Sequence, residues 1–257
     1  MLTAEEKTAI ISLIHRQVVP AIGCTEPIAV ALCVAKAREL LGSLPESIDI
    51  RLSANILKNA MGVGIPGTGM TGLPIAVALG ALIGRPELEL EVLQDCNREA
   101  VERGKRYIAE GRIRISLEEN APDKLYIAVT VAADGQDAEA RIATEHANFV
   151  YLRRGGDVIE DKPIHAGHAD EEEEVELTLR KVYEFATETD VDDLHFILQA
   201  RDMNEAAAAD GLRENFGHQL GKTLCSPLGR GIMGEGIFSK VLSATSCACD
   251  ARMAGAM

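Results

Sequence analysis

A cysteine in a short loop is the residue of this sequence best placed to do chemistry. Residues 20–27 read P-A-I-G-C-T-E-P, which puts Cys24 in a tight turn directly before a helix start signal. Thr25 can cap that helix, and Glu26 lies in its first turn, where the helix dipole favours an acid. A thiol there has its thiolate stabilised by unpaired N–H groups, which suits a nucleophile or a metal ligand. The alternative is a small buried residue, because free cysteines are often buried.

A glycine-rich segment at 62–69 is the second motif, and it follows the polar stretch 53–59, S-A-N-I-L-K-N. Its glycines match the dinucleotide fingerprint by letter, but no apolar strand precedes them and no helix begins at Gly67. The pattern favours a loop that holds an anion through backbone N–H groups, with Lys58 supplying charge and Thr68 a hydroxyl. A sharp turn between two buried helices is the alternative.

Composition excludes several classes of function. The net charge is −14 and aromatic residues make up 4% of the chain, which argues against a nucleic-acid partner because phosphate binding needs a basic footprint. The start lacks a basic segment followed by an apolar one, so no secretory signal is predicted. Apolar runs are broken well short of a membrane span. Six cysteines without a secretory signal predict reduced thiols and a cytoplasmic location.

The periodicity predicts an α+β fold, in which a helix-rich part with buried apolar helices is joined to a small antiparallel β-meander subdomain. Two apolar helices are predicted, over 28–41 and 73–83. Alternation with a period of two predicts four meander strands, at 112–117, 125–131, 138–143 and 148–152. The predicted division is a helical domain at 1–110, the β subdomain at 111–153, a linker at 154–174 and a helical region at 175–257.

Histidines carry weaker signals. His146 falls between the last two predicted strands, where a lone loop histidine is usually solvent-exposed and idle. Residues 165–170 read H-A-G-H-A-D, which invites a metal site, but the glycine-bearing context gives no rigid ligand frame.

The last part of the chain is predicted to be a glycine-punctuated loop at 220–236 followed by an apolar, small-residue helix at 237–257. Cys247 and Cys249 lie two residues apart on that helix and point to different faces, so they are no ready chelate. The helix ends without a cap or a polar tail. Its apolar surface is therefore expected to drive self-association into a homo-oligomer.

Three motifs together resemble the L-cysteine desulfidase family, whose fold is related to the alpha domain of iron–sulfur L-serine dehydratases. They are the cysteine loop at 20–27, S-x-N-x-x-K-N at 53–59 and G-I-P-G-T-G at 64–69, and the segment at 250–255 is similar as well. The resemblance implies a [4Fe–4S] cluster held by three cysteines with one iron open to substrate. It implies elimination of sulfide from L-cysteine, or of water from L-serine, to give pyruvate and ammonia.

Site residues are carried over from the resemblance position by position. It implies Cys24 as the first cluster ligand and Lys58 and His146 as catalytic residues. It implies that the small amino-acid substrate is bound by the residues Thr25, Glu26, Asn55, Asn59, Gly67, Thr68 and Gly69.

The same resemblance implies that this chain is the N-terminal portion of such an enzyme. The other two cluster cysteines of the family belong to a part that the chain lacks, and Cys225, Cys247 and Cys249 lie in none of the matching motifs. A truncated, inactive lyase with an incomplete or absent cluster is therefore expected. The alternative is a non-catalytic small-molecule-binding or interaction module.

Overall fold

The structure is a computed structural model, and it describes residues 2–19, 23–164, 176–216 and 218–253. It has an α+β fold, as predicted. One group of helices packs on a mixed sheet, and a second group follows the sheet along the chain. Among the described residues, no helix is both long and apolar enough to cross a membrane.

Ten α-helices lie within the described ranges. In chain order they are α1 Ala4–Gln17, α2 Thr25–Leu41, α3 Ala54–Ala60, α4 Leu73–Ile83, α5 Arg98–Ala109, α6 Leu179–Glu188, α7 Ile197–Arg213, α8 Leu220–Cys225, α9 Pro227–Met233 and α10 Ile237–Met253. The two predicted apolar helices correspond to α2 and α4. Their sequences lack a polar face over most of their length because residues 28–35 of α2 and 75–81 of α4 are all buried.

Eight strands form two sheets in the described part of the chain. They are β1 Ser47–Leu52, β2 Gly64–Ile65, β3 Met70–Thr71, β4 Ile113–Leu117, β5 Tyr126–Ala133, β6 Gln136–Ala143, β7 Phe149–Arg154 and β8 Asp157–Asp161. The large sheet has the order β4-β1-β5-β6-β7-β8, and β2 and β3 form a separate hairpin.

Two details of the predicted meander are wrong. The first predicted strand, now β4, does not pair with β5, because β1 lies between them and pairs parallel with β4 and antiparallel with β5. A fifth strand, β8, occupies the start of the predicted linker and pairs with β7. The sheet therefore draws one central strand from before residue 110, and the predicted β subdomain shares its sheet with the helical part.

The core is built in layers on this sheet. Helix α2 packs against β5 and β6 on one side and against α4 on the other, and α5 covers α4. The backbones of α2 and α4 approach each other closely at Gly80, where an added Cβ would lie 2.5 Å from the carbonyl oxygen of Ala31. Glycine at that position lets the two helix backbones meet.

The chain after residue 176 forms a second group of helices. Helix α10 packs on α7 and α8 through glycines, since a Cβ at Gly211 would lie 2.0 Å from the carbonyl oxygen of Cys247. Two helices, α8 and α9, lie where a loop was predicted at 220–236. Ser226 explains part of that error, because its side chain accepts from the N–H of Gly229 and starts α9 directly before a proline.

Three predictions fall wholly or partly outside the described residues. These are the metal-like motif at 165–170, residues 165–174 of the linker predicted at 154–174, and the last four residues of the predicted helix at 237–257. Helix α1 joins the beginning of the chain to the second group of helices. It makes a hydrophobic contact with Phe185 of α6, and its Glu6 forms an ion pair with Lys181.

Candidate functional site

The cysteine loop is held against the glycine-rich hairpin. Gly23 has φ +85°, a left-handed conformation that favours glycine, and an added Cβ would lie 2.6 Å from the Cγ atom of Pro66. Pro66 lies in the β2–β3 connection. The two motifs that stood apart in the sequence therefore touch, and Cys24 becomes the N-cap residue of α2.

Glu26 is the acceptor that joins this loop to α3. Its carboxylate accepts from Cys24 Sγ at 2.9 Å, from Thr25 Oγ1 at 3.3 Å and, on the other oxygen, from Asn59 Nδ2 at 3.1 Å. Helix α3 is fixed in turn by Ser53, which caps it and donates to the carbonyl oxygen of Lys124 at 2.6 Å. We call Cys24, Glu26, Asn59 and His146 the Glu26 cluster.

His146 brings in the third segment, the turn between β6 and β7. It is half-buried, and Glu26 is close enough to act electrostatically on it. The turn is shaped by Thr144, at φ +69°, and by Asn148, whose Nδ2 donates to the carbonyl oxygen of Ala143 and to Thr144 Oγ1. The prediction of an exposed, idle histidine is wrong in its first half.

The ionisation states of the cluster are set by burial and by its hydrogen bonds. Burial raises the pKa of Glu26, but the hydrogen bonds from Cys24, from its own backbone N–H and from Asn59, together with the interaction with His146, leave that pKa below its ordinary value. Burial lowers the pKa of His146, although the charges of Glu26 and Glu145 oppose the shift. At neutral pH the cluster therefore holds an ionised carboxylate beside an uncharged imidazole.

The expected stabilisation of the Cys24 thiolate is wrong in its net direction. Burial, the hydrogen bond to Glu26 and the negative charge of Glu26 together raise the pKa of the Cys24 thiol to about 11. The backbone N–H groups of Thr25 and Glu26 do lower it, as the position at a helix N-terminus predicts, but by less. Burial, with the hydrogen bond and charge of Glu26, outweighs the effect of the helix N-terminus, so Cys24 keeps its proton at neutral pH.

The remaining predicted residues lie around the cluster without a direct bond to it. Asn55 and Lys58 are exposed on α3. Asn55 lies one turn before Asn59, and Lys58 lies one residue before it. Lys58 has no ion-pair partner among the residues that the structure describes. Thr68 uses its hydroxyl inside the hairpin, where Oγ1 donates to the carbonyl oxygen of Ile65 at 2.7 Å and accepts from the N–H of Met70.

Gly67 and Gly69 adopt positive φ angles of 71° and 63° in the same connection. The segment 62–69 is therefore a hairpin, closer to the alternative of a sharp turn than to a nucleotide-binding loop opening a helix. Its tip is exposed at Gly67 and Gly69, so backbone N–H groups there are not covered by side chains.

The ligand set of a [4Fe–4S] cluster does not fit the residues in place. Such a cluster with one open iron needs three converging thiolates. Cys24 is surrounded by a carboxylate, an amide and a hydroxyl, while Cys33 donates to the carbonyl oxygen of Ala140 on the sheet and Cys225 contacts Ser243 between α8 and α10. In the described ranges, no three Cys, His, Asp or Glu side chains converge as metal ligands.

Two contributors to the site were missed. Pro66 belongs to a quoted motif, yet only its packing on Gly23 reveals that it joins the hairpin to the cysteine loop. Thr144 carries no sequence signal for its left-handed backbone, since it is a β-branched residue for which positive φ is unusual. Neither could have been found from spacing alone.

Comparison with known proteins gives relatives that are described as UPF0597 proteins. A UPF0597 protein of Bacteroides fragilis is 57% identical over 256 residues, which is 100% of this chain and 60% of the relative. A UPF0597 protein of Bacteroides thetaiotaomicron is 58% identical over 252 residues, 98% of this chain and 59% of the relative. One of Oleidesulfovibrio alaskensis is 43% identical over 246 residues, 95% of this chain and 57% of the relative.

The chain is similar to UPF0597 proteins. It spans about 60% of the length of the curated relatives described above. No protein-family model matches the chain, and no solved structure matches it. The assignment to the L-cysteine desulfidase family, and to an N-terminal portion of one, is wrong, because these relatives carry the UPF0597 description and none of them a desulfidase or dehydratase name.

Proposed function

We propose that the Glu26 cluster binds a small amino acid and performs acid–base chemistry on it, with elimination of a β-substituent as the reaction. The observation that carries the proposal is that the carboxylate of Glu26 accepts two hydrogen bonds, from the Cys24 thiol at 2.9 Å and from the Asn59 amide at 3.1 Å. These bonds bring together side chains from two segments of the chain, and His146 adds a third. A fold gains little stability from a half-buried charge of this kind, so a functional role is the better explanation.

The protonation states match what elimination requires. One group must accept the Cα proton, and another must donate a proton to the leaving group. His146 and Glu26 are bases at neutral pH, since the pKa of each is lowered, and Cys24 keeps its proton up to a pKa of about 11. The pair of electrons from the Cα–H bond forms the Cα–Cβ double bond, and the β-substituent leaves with its bonding pair and takes the thiol proton.

Recognition of the substrate is assigned to the charges around the cluster. Glu26 offers a negative group for the substrate ammonium, and Lys58, exposed on α3, offers a positive group for the carboxylate. Asn55 lies one turn from Asn59 on the same side of α3, and the uncovered N–H groups near Gly67 and Gly69 add donors. An α-amino acid carries both charges on adjacent atoms, which suits such a site.

The test is binding and turnover with L-serine and L-cysteine, followed by calorimetry and by pyruvate release. We expect both amino acids to bind, with at least about tenfold weaker binding in Lys58→Met and Glu26→Gln, as loss of a charge-assisted hydrogen bond predicts. Lys240→Met is the matched control, since Lys240 is an exposed lysine on α10. Equal weakening in all three variants, or no binding of either amino acid, would contradict the proposal.

A binding module without catalysis is the second candidate. It is favoured by one observation, namely that both oxygens of Glu26 are already occupied by donors of the protein itself. In that case Glu26→Gln and Lys58→Met still weaken amino-acid binding, but no pyruvate forms with the wild-type chain at any substrate concentration. Pyruvate release that depends on Glu26 and Cys24 favours the lyase.

The location and partners follow from composition and surface. We propose a cytoplasmic protein, supported by six cysteines that are all free thiols. We also propose that copies associate through α9 and α10, because Leu228, Ile232, Ile237 and Phe238 expose apolar side chains there. A nucleic-acid partner is not proposed, given the net charge of −14.

A further inference from the structure

A second polar site lies at the other end of α2. A cleft of about 400 Å³ opens where α2 ends, bounded by the start of the segment after Gly42 and by α4 and α5. Helix α2 has 17 residues and is about 25 Å long at 1.5 Å per residue, so the cleft is well separated from Cys24 at its first turn. The cleft is therefore independent of the Glu26 cluster.

Arg38 forms one wall of the cleft and is held in place. It lies in the last turn of α2, and its Nη2 donates to the carbonyl oxygen of Gly84 at 2.9 Å. Gly84 is itself fixed by close packing, because an added Cβ would lie 2.7 Å from the Cβ atom of Ala35. A guanidinium has five N–H donors, so one backbone bond orients the group and leaves others for a ligand.

One further guanidinium group lines the cleft, and another lies beside Gly42, a residue of its lining. Arg103 projects from α5 and lines the cleft, and Arg154, at the end of β7, places Nη2 about 4.0 Å from where a Cβ of Gly42 would be. Both side chains are exposed, and neither has an ion-pair partner in the part of the chain that the structure describes. Ser43 adds a hydroxyl to the lining.

The acidic groups nearby are already paired. Glu39 lines the cleft, but Lys36 holds it at 3.0 Å, and Glu87, which Arg38 influences electrostatically, is held by Arg85 at 2.9 Å. The cleft therefore has a surplus of positive charge on a chain whose net charge is −14. A local surplus of the opposite sign is the expected pattern for an anion site, because it draws anions to one place on an otherwise repelling surface.

We propose that this cleft binds a compact anion carrying two or more negative charges, of the phosphate or polycarboxylate class. Arginine presents paired N–H donors in a plane, which matches the oxygens of phosphate and carboxylate groups. Two guanidinium groups in the lining, Arg38 and Arg103, with that of Arg154 beside Gly42, favour a multivalent anion over a monovalent one. The apolar residues in the lining, Leu44 and Leu82, limit the space for a large polar ligand.

The experiment is calorimetric titration of the wild-type chain with pyrophosphate, with citrate and with acetate at low ionic strength. We expect pyrophosphate or citrate to bind at least about tenfold more tightly than acetate, and binding to weaken with added NaCl, since exposed charges are screened over about 10 Å at 0.1 M salt. The stronger of the two ligands identifies the class of anion.

Variants then locate the site. We expect Arg103→Gln and Arg154→Gln each to weaken binding about tenfold, as loss of one charge-assisted contact predicts. Arg98→Gln is the matched control, because Arg98 is an exposed arginine of the same helix, α5, that does not line the cleft. Equal weakening in all three variants, or acetate binding as tightly as the multivalent anions, would overturn the proposal.

Discussion

The two parts of the molecule that carry apolar helices differ in how those helices are covered. In residues 23–164, helices α2 and α4 are enclosed by the sheet and by α5, and Leu32 and Leu79 have no exposed surface. In residues 176–253, helix α10 packs on α7 and α8, but apolar side chains at its start stay exposed. Ile237 remains 82% exposed and Phe238 68% exposed.

This contrast shows that apolar composition alone does not make a core. The first part has a six-stranded sheet, which offers α2 a broad apolar face, and a second helix layer behind it. The second part contains no strand among its described residues, and its helix α10 packs on α7 and α8 through close contacts at Gly211 and Gly221. The candidate site lies in the first part, where a rigid scaffold fixes the loop, the hairpin and the turn that meet at Glu26.

The largest expected effect comes from replacing one leucine by alanine in each of the two parts. Leu32→Ala should lower the free energy of unfolding by about 2–5 kcal/mol, because it leaves a cavity in the core around α2. Leu228→Ala, at a side chain 68% exposed on α9, should change it by less than about 0.5 kcal/mol. Urea denaturation of both variants gives the comparison, and similar losses would show that the second part is equally well packed.

Self-association is the next test. If α10 is covered by another copy, Phe238→Gln should weaken the assembly by about 1.5–3 kcal/mol, the free energy of burying a phenylalanine side chain. Light scattering over a dilution series measures this. Val158→Thr on β8, which is 54% exposed in the first part, is the control and should leave the mass unchanged. A monomeric wild-type chain at all concentrations would rule out this interface.

The close approach of α2 and α4 gives a smaller effect. Gly80→Ala should destabilise the fold by about 1–3 kcal/mol, since the added methyl group would lie 2.5 Å from the carbonyl oxygen of Ala31. Gly62→Ala is the matched control, because nothing lies within 4 Å of an added Cβ there. Thermal unfolding that is unchanged in Gly80→Ala would mean that the two helices can move apart at little cost.

Stability should also fall in alkaline solution through the buried thiols. The pKa of Cys24 is raised from 9.0 to about 11 in the folded chain, so the unfolded chain loses this proton first as pH rises. The contribution is complete below pH 9 and is lost as pH approaches 11. Burial raises the pKa of Cys33 as well. Cys24→Ser should make the pH dependence shallower between pH 9 and 11, and an unchanged slope would contradict the raised pKa.

Much of the first part could be predicted from sequence, and the reasons are local. The apolar runs of α2 and α4 and the alternation of β5, β6 and β7 each depend on neighbours in the chain. The order of the sheet could not be predicted, because β1 enters between β4 and β5 through pairings far apart in sequence. Helices α8 and α9 were missed because their glycines serve close packing at Gly221 and Gly229.

The site shows the same limit. The motifs identified Cys24, Glu26, Asn59 and His146 separately, and the fold brings them together. The pKa shift of Cys24 was predicted in the wrong direction, because its position at a helix N-terminus favours the thiolate. The opposing effects of burial and of Glu26 depend on the loop conformation that Gly23 and Pro66 set, which the sequence does not show. The three motifs also predicted the wrong family, because the relatives are described as UPF0597 proteins and not as L-cysteine desulfidases.

The contact between Cys24 and Glu26 is the basis of the proposed site, and the pH dependence of Cys24 alkylation tests it most directly. Rates are followed on the Cys24 peptide by mass spectrometry, with exposed Cys249 as the reference for reagent quality. The account predicts a wild-type pKa of about 11 and slower labelling than at Cys249. In Glu26→Gln the pKa should fall towards its ordinary value, because the charge and the carboxylate acceptor are gone while burial remains. A wild-type value near 9, or a value that Glu26→Gln leaves unchanged, would contradict it.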